Sequence, residues 1–154
     1  MSNKIDYPEI ASMLHSTFFG LENAHNKLTG SSHRAVVPEI AKMLPLILDA
    51  KGELTFDESK SLEEELQMLE DHFNNDEFFE KVTIEKLNEN KYSFKIKGCF
   101  LAKSGVHDVL KPNHNTCMFA YIVASALSIR SGKNLRVSSS EFTQYDSTTI
   151  VELV

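Results

Sequence analysis

The sequence predicts an α+β domain in which an antiparallel sheet, built from two β-hairpins, packs against helices. Three observations lead there. Up to about residue 74, apolar side chains recur at helical spacing; from Lys81 the period changes to two; and a nearly all-apolar run over 117–129 separates two alternating segments. The 154 residues fit one domain, with a helical part over 1–76 and a hairpin–helix–hairpin part over 80–154.

Asp6-Tyr7-Pro8-Glu9 is a capping-type start, with Pro8 in the first turn. Ile10, Met13, Leu14, Thr17, Phe18, Leu21 and Leu28 then recur near helical spacing, and Gly20 marks either an interruption or a close-packing point. Thr29-Gly30-Ser31-Ser32 stops this helix. A second helix is expected over about 35–49, with Ile40, Leu44 and Ile47 or Leu48 inward. Pro45 predicts a kink there, or an end near Leu44. Ser61-Leu62-Glu63-Glu64 reads as a capping box, because a serine oxygen and a glutamate three residues on can satisfy free amides reciprocally. It opens a third helix with the stripe Leu62, Leu66, Leu69 and Phe73, which Asn74-Asn75-Asp76 ends; Phe78-Phe79 anchors the connection that follows.

"KVTIEKL" and "YSFKIKGCFLA" flank the turn Asn88-Glu89-Asn90-Lys91 and form the first hairpin, with Tyr92, Phe94 and Ile96 on one face and Lys95 and Lys97 on the other. After a loop over about 103–115 comes a buried helix over about 116–131, with Asn115 or Thr116 as N-cap and Gly132 as C-cap. Its side chains are apolar nearly all round, and Ala120, Ala124, Ser125 and Ala126 are small. Such a helix is covered on several sides, by sheet, helices or a partner subunit. "NLRVSSSEF" and "STTIVELV", joined around Gln144-Tyr145-Asp146, form the second hairpin.

Charge narrows the function. The net charge is −6, and the segment 57–80 alone holds ten acids and one lysine. An acidic chain without a basic stripe is a poor nucleic-acid binder, and the acidic run reads as a solvated helix face. No apolar run reaches the roughly 18 residues of a membrane span, since Arg130 ends the longest. "MSNKIDYPEI" has no signal-peptide core, so the expectation is a cytoplasmic protein with reduced Cys99 and Cys117.

No nucleophile turn, phosphate loop or dinucleotide glycine pattern is present, and Glu63, Glu64, Glu65, Glu70 and Asp71 are expected on an exposed helix face. The reading therefore leans away from an enzyme. The sharpest chemical candidate is Cys99, His107, His114 and Cys117, spaced C-x7-H-x6-H-x2-C. Two thiolates and two imidazoles are a structural zinc set. Against it stands the reading of both cysteines as small buried hydrophobes and both histidines as loop residues. A metal-dependent enzyme would further need an open coordination position. His15, His25 and His33 lie in or between the first helices; they are surface or helix-end residues, or one of them, with His25 beside Asn23 the better choice, meets a polar ligand atom.

"YSFKIKGCFLA", "CMFAYIVASALSIRSGKNLRV" and "SSSEFTQYDSTTIVELV" resemble the 4-vinyl-reductase-like small-molecule-binding domain, whose fold is related to small subunits of the TRAPP transport particle. Cys117, Phe119, Gly132-Lys133, Leu135, Val137 and Glu141 match its order of motifs, over about residues 80–154. The resemblance implies a dimeric, cytosolic α+β domain with an apolar cavity for hydrocarbon-like or aromatic ligands, in several members beside a structural zinc. Phe142 and Ile150 stand where that family's further cysteines would fall, so its metal site does not transfer to this chain.

Two functions follow as expectations. One is a non-enzymatic binding or sensory domain for a small apolar or aromatic molecule, with a cavity lined by Phe18, His25, Phe94, Phe100, Phe119, Ala120 and Ala124. The other is a structural or adaptor subunit with a filled core. A homodimer is expected in either case, because the fourth helix needs cover and Met43, Leu46 and Ile47 look exposed.

Overall fold

The computed structural model describes residues 7–30, 36–51, 57, 59–75, 77–110 and 115–154. Helices α1 (Tyr7–Thr29), α2 (Val37–Lys51) and α3 (Leu62–Asn74) precede strands β1 (Lys81–Asn88) and β2 (Lys91–Lys97). Two short 3-10 turns, Phe100–Ser104 and Val106–Val109, lead towards α4 (Ala120–Ser131), and β3 (Leu135–Phe142) and β4 (Ser147–Leu153) close the chain. The sheet order is β1-β2-β4-β3, antiparallel throughout, so the two hairpins join through their second strands. Both the fold class and the sheet built of two hairpins agree with the sequence.

One face of the sheet is dry. Tyr92, Phe94 and Ile96 pair with Val151, Thr149 and Ser147, and Leu135 and Val137 pair with Leu153 and Val151. All of these are buried, and the apolar ones meet Val123, Ala124 and Leu127 of α4 in one core. On the other side of the pleat, Glu152 takes Lys91 at 2.9 Å and Arg136 at 2.6 Å. Their hydrogen bonds hold its pKa down to about 2. This clasp ties three strands together at the surface, where ion pairs contribute little to stability.

The helices are set by local chemistry. The Ser61 capping box is present: Ser61 Oγ accepts from the Glu64 amide at 3.2 Å, and the Ser61 amide donates to Glu64 Oε2 at 2.8 Å. Leu66, Leu69 and Phe73 are buried from α3, with Leu62 half-buried. Helix α2 runs through Pro45 to Lys51, close to the expected span of about 35–49 and without the alternative end near Leu44; it buries Val37 and Ala41 and packs on α4. Gly132, at φ 64°, caps α4 by donating its amide to Ser128 O at 3.0 Å.

Four expectations are corrected. Strand β2 stops at Lys97, because Gly98 adopts φ 64° and the chain then coils into the Phe100–Ser104 turn. Helix α4 begins at Ala120 rather than near 116, with Phe119 at the cap position and no side-chain cap. Its first turn is tight, with Ala120, Tyr121 and Ile122 amides reaching the carbonyls three residues back. Glu65, assigned to the exposed face of α3, is buried against Arg130 of α4 at 2.9 Å. Finally, Gly20 does not interrupt α1, and a methyl group there would meet nothing within 4 Å among the described residues.

Candidate functional site

Helix α1 shows which of its faces is used. The side chains it buries are His15, Phe19 and Glu22, with Phe18 half-buried, a stripe at positions i, i+3, i+4 and i+7. The apolar stripe legible in the sequence is the other one. Ile10, Met13, Leu14, Leu21 and Leu28 are 45%, 63%, 62%, 66% and 85% exposed. On α2, Met43 and Leu46 are likewise exposed as expected, and so is Ile47, which therefore does not take the inward position offered to it or Leu48. Singly exposed hydrophobes are ordinary, whereas a contiguous stripe along one helix marks a contact surface.

The inward face of α1 meets the segment before α4. Glu22 accepts hydrogen bonds from Asn115 Nδ2 at 3.0 Å, the Thr116 amide at 3.3 Å and the Tyr121 hydroxyl at 3.0 Å. Asn23 Oδ1 takes a longer bond, 3.3 Å, from the same Asn115 amide. Asn115 and Thr116 are fully buried, so these cap-type residues hold a carboxylate of another helix instead of capping their own. Helix α4 starts further on, with Phe119 at the cap position.

Below them, Cys117 lies over a row of sheet hydroxyls. Its amide donates to Ser140 Oγ at 3.3 Å, and Ser140 and Thr149 share a hydrogen bond of 2.7 Å. Burial pushes the Cys117 thiol up to about 11, a Ser147 hydrogen bond pulling the other way, and burial likewise raises Cys99. Both cysteines are free and protonated at neutral pH. His107 is buried, with Nδ1 3.0 Å from Thr143 O. His114 lies outside the described residues. Among the described residues no three His, Cys, Asp or Glu side chains are grouped to hold a metal ion. Cys117→Ser is expected to cost about 1–2 kcal/mol through packing. A melting temperature unchanged by a chelator, with less than about 0.1 zinc per chain in untagged protein, would remove the four-residue zinc reading.

His107 also belongs to a buried histidine pair. Its ring centroid is 5.8 Å from that of His15, and Phe19 and Phe142 pack edge-on against them. His15 is 1% exposed, and its Nδ1 has no partner among the described residues. Burial, and then the neighbouring His107, lower its pKa to about 4; burial lowers His107 too. The folded chain holds His15 neutral, while the unfolded chain binds a proton below about 6.5. Stability therefore falls as pH drops from about 6.5 towards 4, by on the order of 3 kcal/mol from His15. His15→Leu should flatten the pH dependence of urea midpoints in that window, and an unchanged slope would refute the assignment.

Six of the seven residues expected to line an apolar cavity belong to one core: Phe94, Ala120 and Ala124 lie within it, and Phe18, Phe100 and Phe119 pack against it. Phe94, Ala120 and Ala124 are buried in the core, and Phe73 bridges Phe94 and Phe119 at ring distances of 5.8 and 6.1 Å. Phe18 stands 5.5 Å from the Tyr121 ring, Phe100 is 6.3 Å from Phe78, and His25 is half-buried, its Nδ1 without a partner among the described residues. Sequence reasoning missed Glu22, Glu65 and Tyr121. A signal for Glu22 exists: it falls seven residues after His15, on the stripe that also holds Phe18 and Phe19.

No protein-family model matches this chain, and no curated protein or solved structure matches it significantly. No helix among the described residues is long and apolar enough to cross a membrane.

Proposed function

We propose that this chain is a non-enzymatic interaction domain that works as a homodimer, two copies meeting along the outward stripe of α1. The observation that carries the reading is the stripe itself, because its apolar residues face solvent while the polar His15 and Glu22 face the core. A second copy is the occupant that fits. Leu14, Leu21 and Leu28 recur every seven residues, with Ile10, Thr17 and Ala24 between them at the same interval. That spacing is the seam of paired helices. Thr17 is the one polar member, and its hydroxyl is already satisfied within the helix by Met13 O at 2.8 Å. No charge lies on those six positions, so two chains of net charge −6 meet there without opposing charges in contact. Ala24 is small, and Gly20 beside the seam has open space that a neighbouring backbone would use.

This reading shares the dimeric habit that the vinyl-reductase-like resemblance implies. Two buried free thiols fit a reducing compartment such as the cytoplasm. Sedimentation equilibrium at micromolar concentration should return twice the 17.4 kDa chain mass. A species at the chain mass alone would overturn the proposal.

A second reading, binding of a small apolar or aromatic molecule, is favoured by Phe18, Phe100 and Phe119, which keep part of their rings exposed while packing on the core. Saturable uptake of an apolar dye, one per chain, would support it; unsaturable or absent uptake would leave the adaptor reading alone.

A further inference from the structure

A pocket of about 450 Å³ opens where the connection from α3 to β1, the turn after β2 and the β3–β4 connection meet. Phe79, Phe100 and Tyr145 supply aromatic surface; Glu77, Glu80 and Lys103 supply charge. The volume lies in the range of small-molecule sites.

Its rim is fixed by backbone. The Cys99 amide donates to Tyr145 O at 2.8 Å, the Phe100 amide to Phe78 O at 2.7 Å, and the Gly98 amide to Asp146 Oδ1 at 2.9 Å. Gly98 combines a positive φ with a close approach to its neighbour, because a side chain there would collide with that of Glu80. The glycine thus lets the Glu80 side chain lie across the backbone at the edge of the aromatic surface. Lys103 Nζ sits 4.8 Å from the centre of the Phe100 ring, so this ring already attracts a cation.

We propose that this pocket binds a small organic cation, an alkylammonium whose head takes the place of Lys103 on the Phe100 face and is neutralised by Glu77 and Glu80. Two carboxylates against one ammonium leave the pocket net negative, and Lys103 is the flexible group that moves aside. The pocket volume leaves room for an apolar or aromatic body attached to the head. The site does not involve α1, so it stands apart from the dimer proposal.

The test compares choline with its neutral isostere 3,3-dimethylbutan-1-ol, followed by amide chemical shifts. Choline should shift the amides of Gly98, Phe100 and Tyr145 saturably, and bind about tenfold more tightly than the isostere. Benzyltrimethylammonium should bind more tightly than choline. Lys103→Ala, a surface change, should tighten choline binding about threefold by clearing the ring. Glu80→Gln should weaken choline binding and leave the isostere unaffected. Equal binding of cation and isostere, absence of shifts at those three amides, or unchanged affinity in Lys103→Ala would each overturn the proposal.

Discussion

Arg130→Ala is expected to lose about 3–5 kcal/mol of stability at pH 7, the cost of stranding a buried charge. Arg130 Nε stands 2.9 Å from Glu65 Oε2, and Glu65 is 3% exposed. Neither Glu65 oxygen has an aligned hydrogen-bond donor among the described residues, so the pair is held by charge more than by bond geometry. Burial raises the Glu65 pKa above its ordinary value, and Arg130 is the largest influence pulling it down. Removing the arginine leaves a carboxylate that the core disfavours, and the folded state then takes up a proton more readily than the unfolded one. For an acid with a raised folded pKa, stability is lost as pH rises from about 4.5 through that raised value. The deficit of Arg130→Ala relative to wild type should therefore be largest at pH 7 and shrink as the sample is acidified towards 4.5. Glu65→Gln in the Arg130→Ala background should recover much of the loss at pH 7. Urea unfolding of the three variants at pH 7 and 5 reads both effects; a deficit independent of pH would refute the ion-pair account.

Glu22→Ala should cost about 4 kcal/mol, since one carboxylate accepts from Asn115, Thr116 and Tyr121, and hydrogen bonds to a charged acceptor are the stronger kind. These three contacts tie α1 to the segment that starts α4. Glu22→Gln, which keeps one acceptor but turns an amide donor towards other donors, should lose about half as much. Protection of the Thr116 amide from hydrogen exchange should fall in both variants ahead of the sheet amides. If Thr116 exchange stays unchanged in Glu22→Ala, the junction does not hold the head of α4.

The two hairpins and the buried face of β2 were legible because two signals agree there: alternation selects Tyr92, Phe94 and Ile96, and short turns join each pair of strands. The same holds for α3, where the capping box and the stripe Leu66, Leu69 and Phe73 point one way. Helix α1 was legible as a helix but not in its orientation. Apolar periodicity finds a stripe without saying what covers it, and here the core takes His15, Phe19 and Glu22 while the leucines face out. Asn115 and Thr116 read as caps because local preference is all that a sequence shows; their bonds to Glu22 span more than 90 positions. Glu65 was hidden by its neighbours Glu63 and Glu64, which are exposed. Of the chemical cluster, the sequence offered both a zinc set and two small buried hydrophobes; the burial of both thiols, which raises their pKa, comes from packing that the spacing does not show.

The central claim is that the outward stripe of α1 joins two copies, and the double variant Leu14→Glu, Leu21→Glu tests it most directly. Both side chains are more than half exposed in the single chain, so their exchange for glutamate should change the unfolding free energy of an isolated chain by only about 0.5 kcal/mol each. In a dimer they would place like charges face to face across an apolar seam. Sedimentation equilibrium of wild type and variant at the same micromolar concentration decides between these situations. The expected result is a dimeric wild type and a variant at 17.4 kDa with native near-UV circular dichroism. A variant that sediments like a dimeric wild type, or a wild type already at 17.4 kDa, would contradict it.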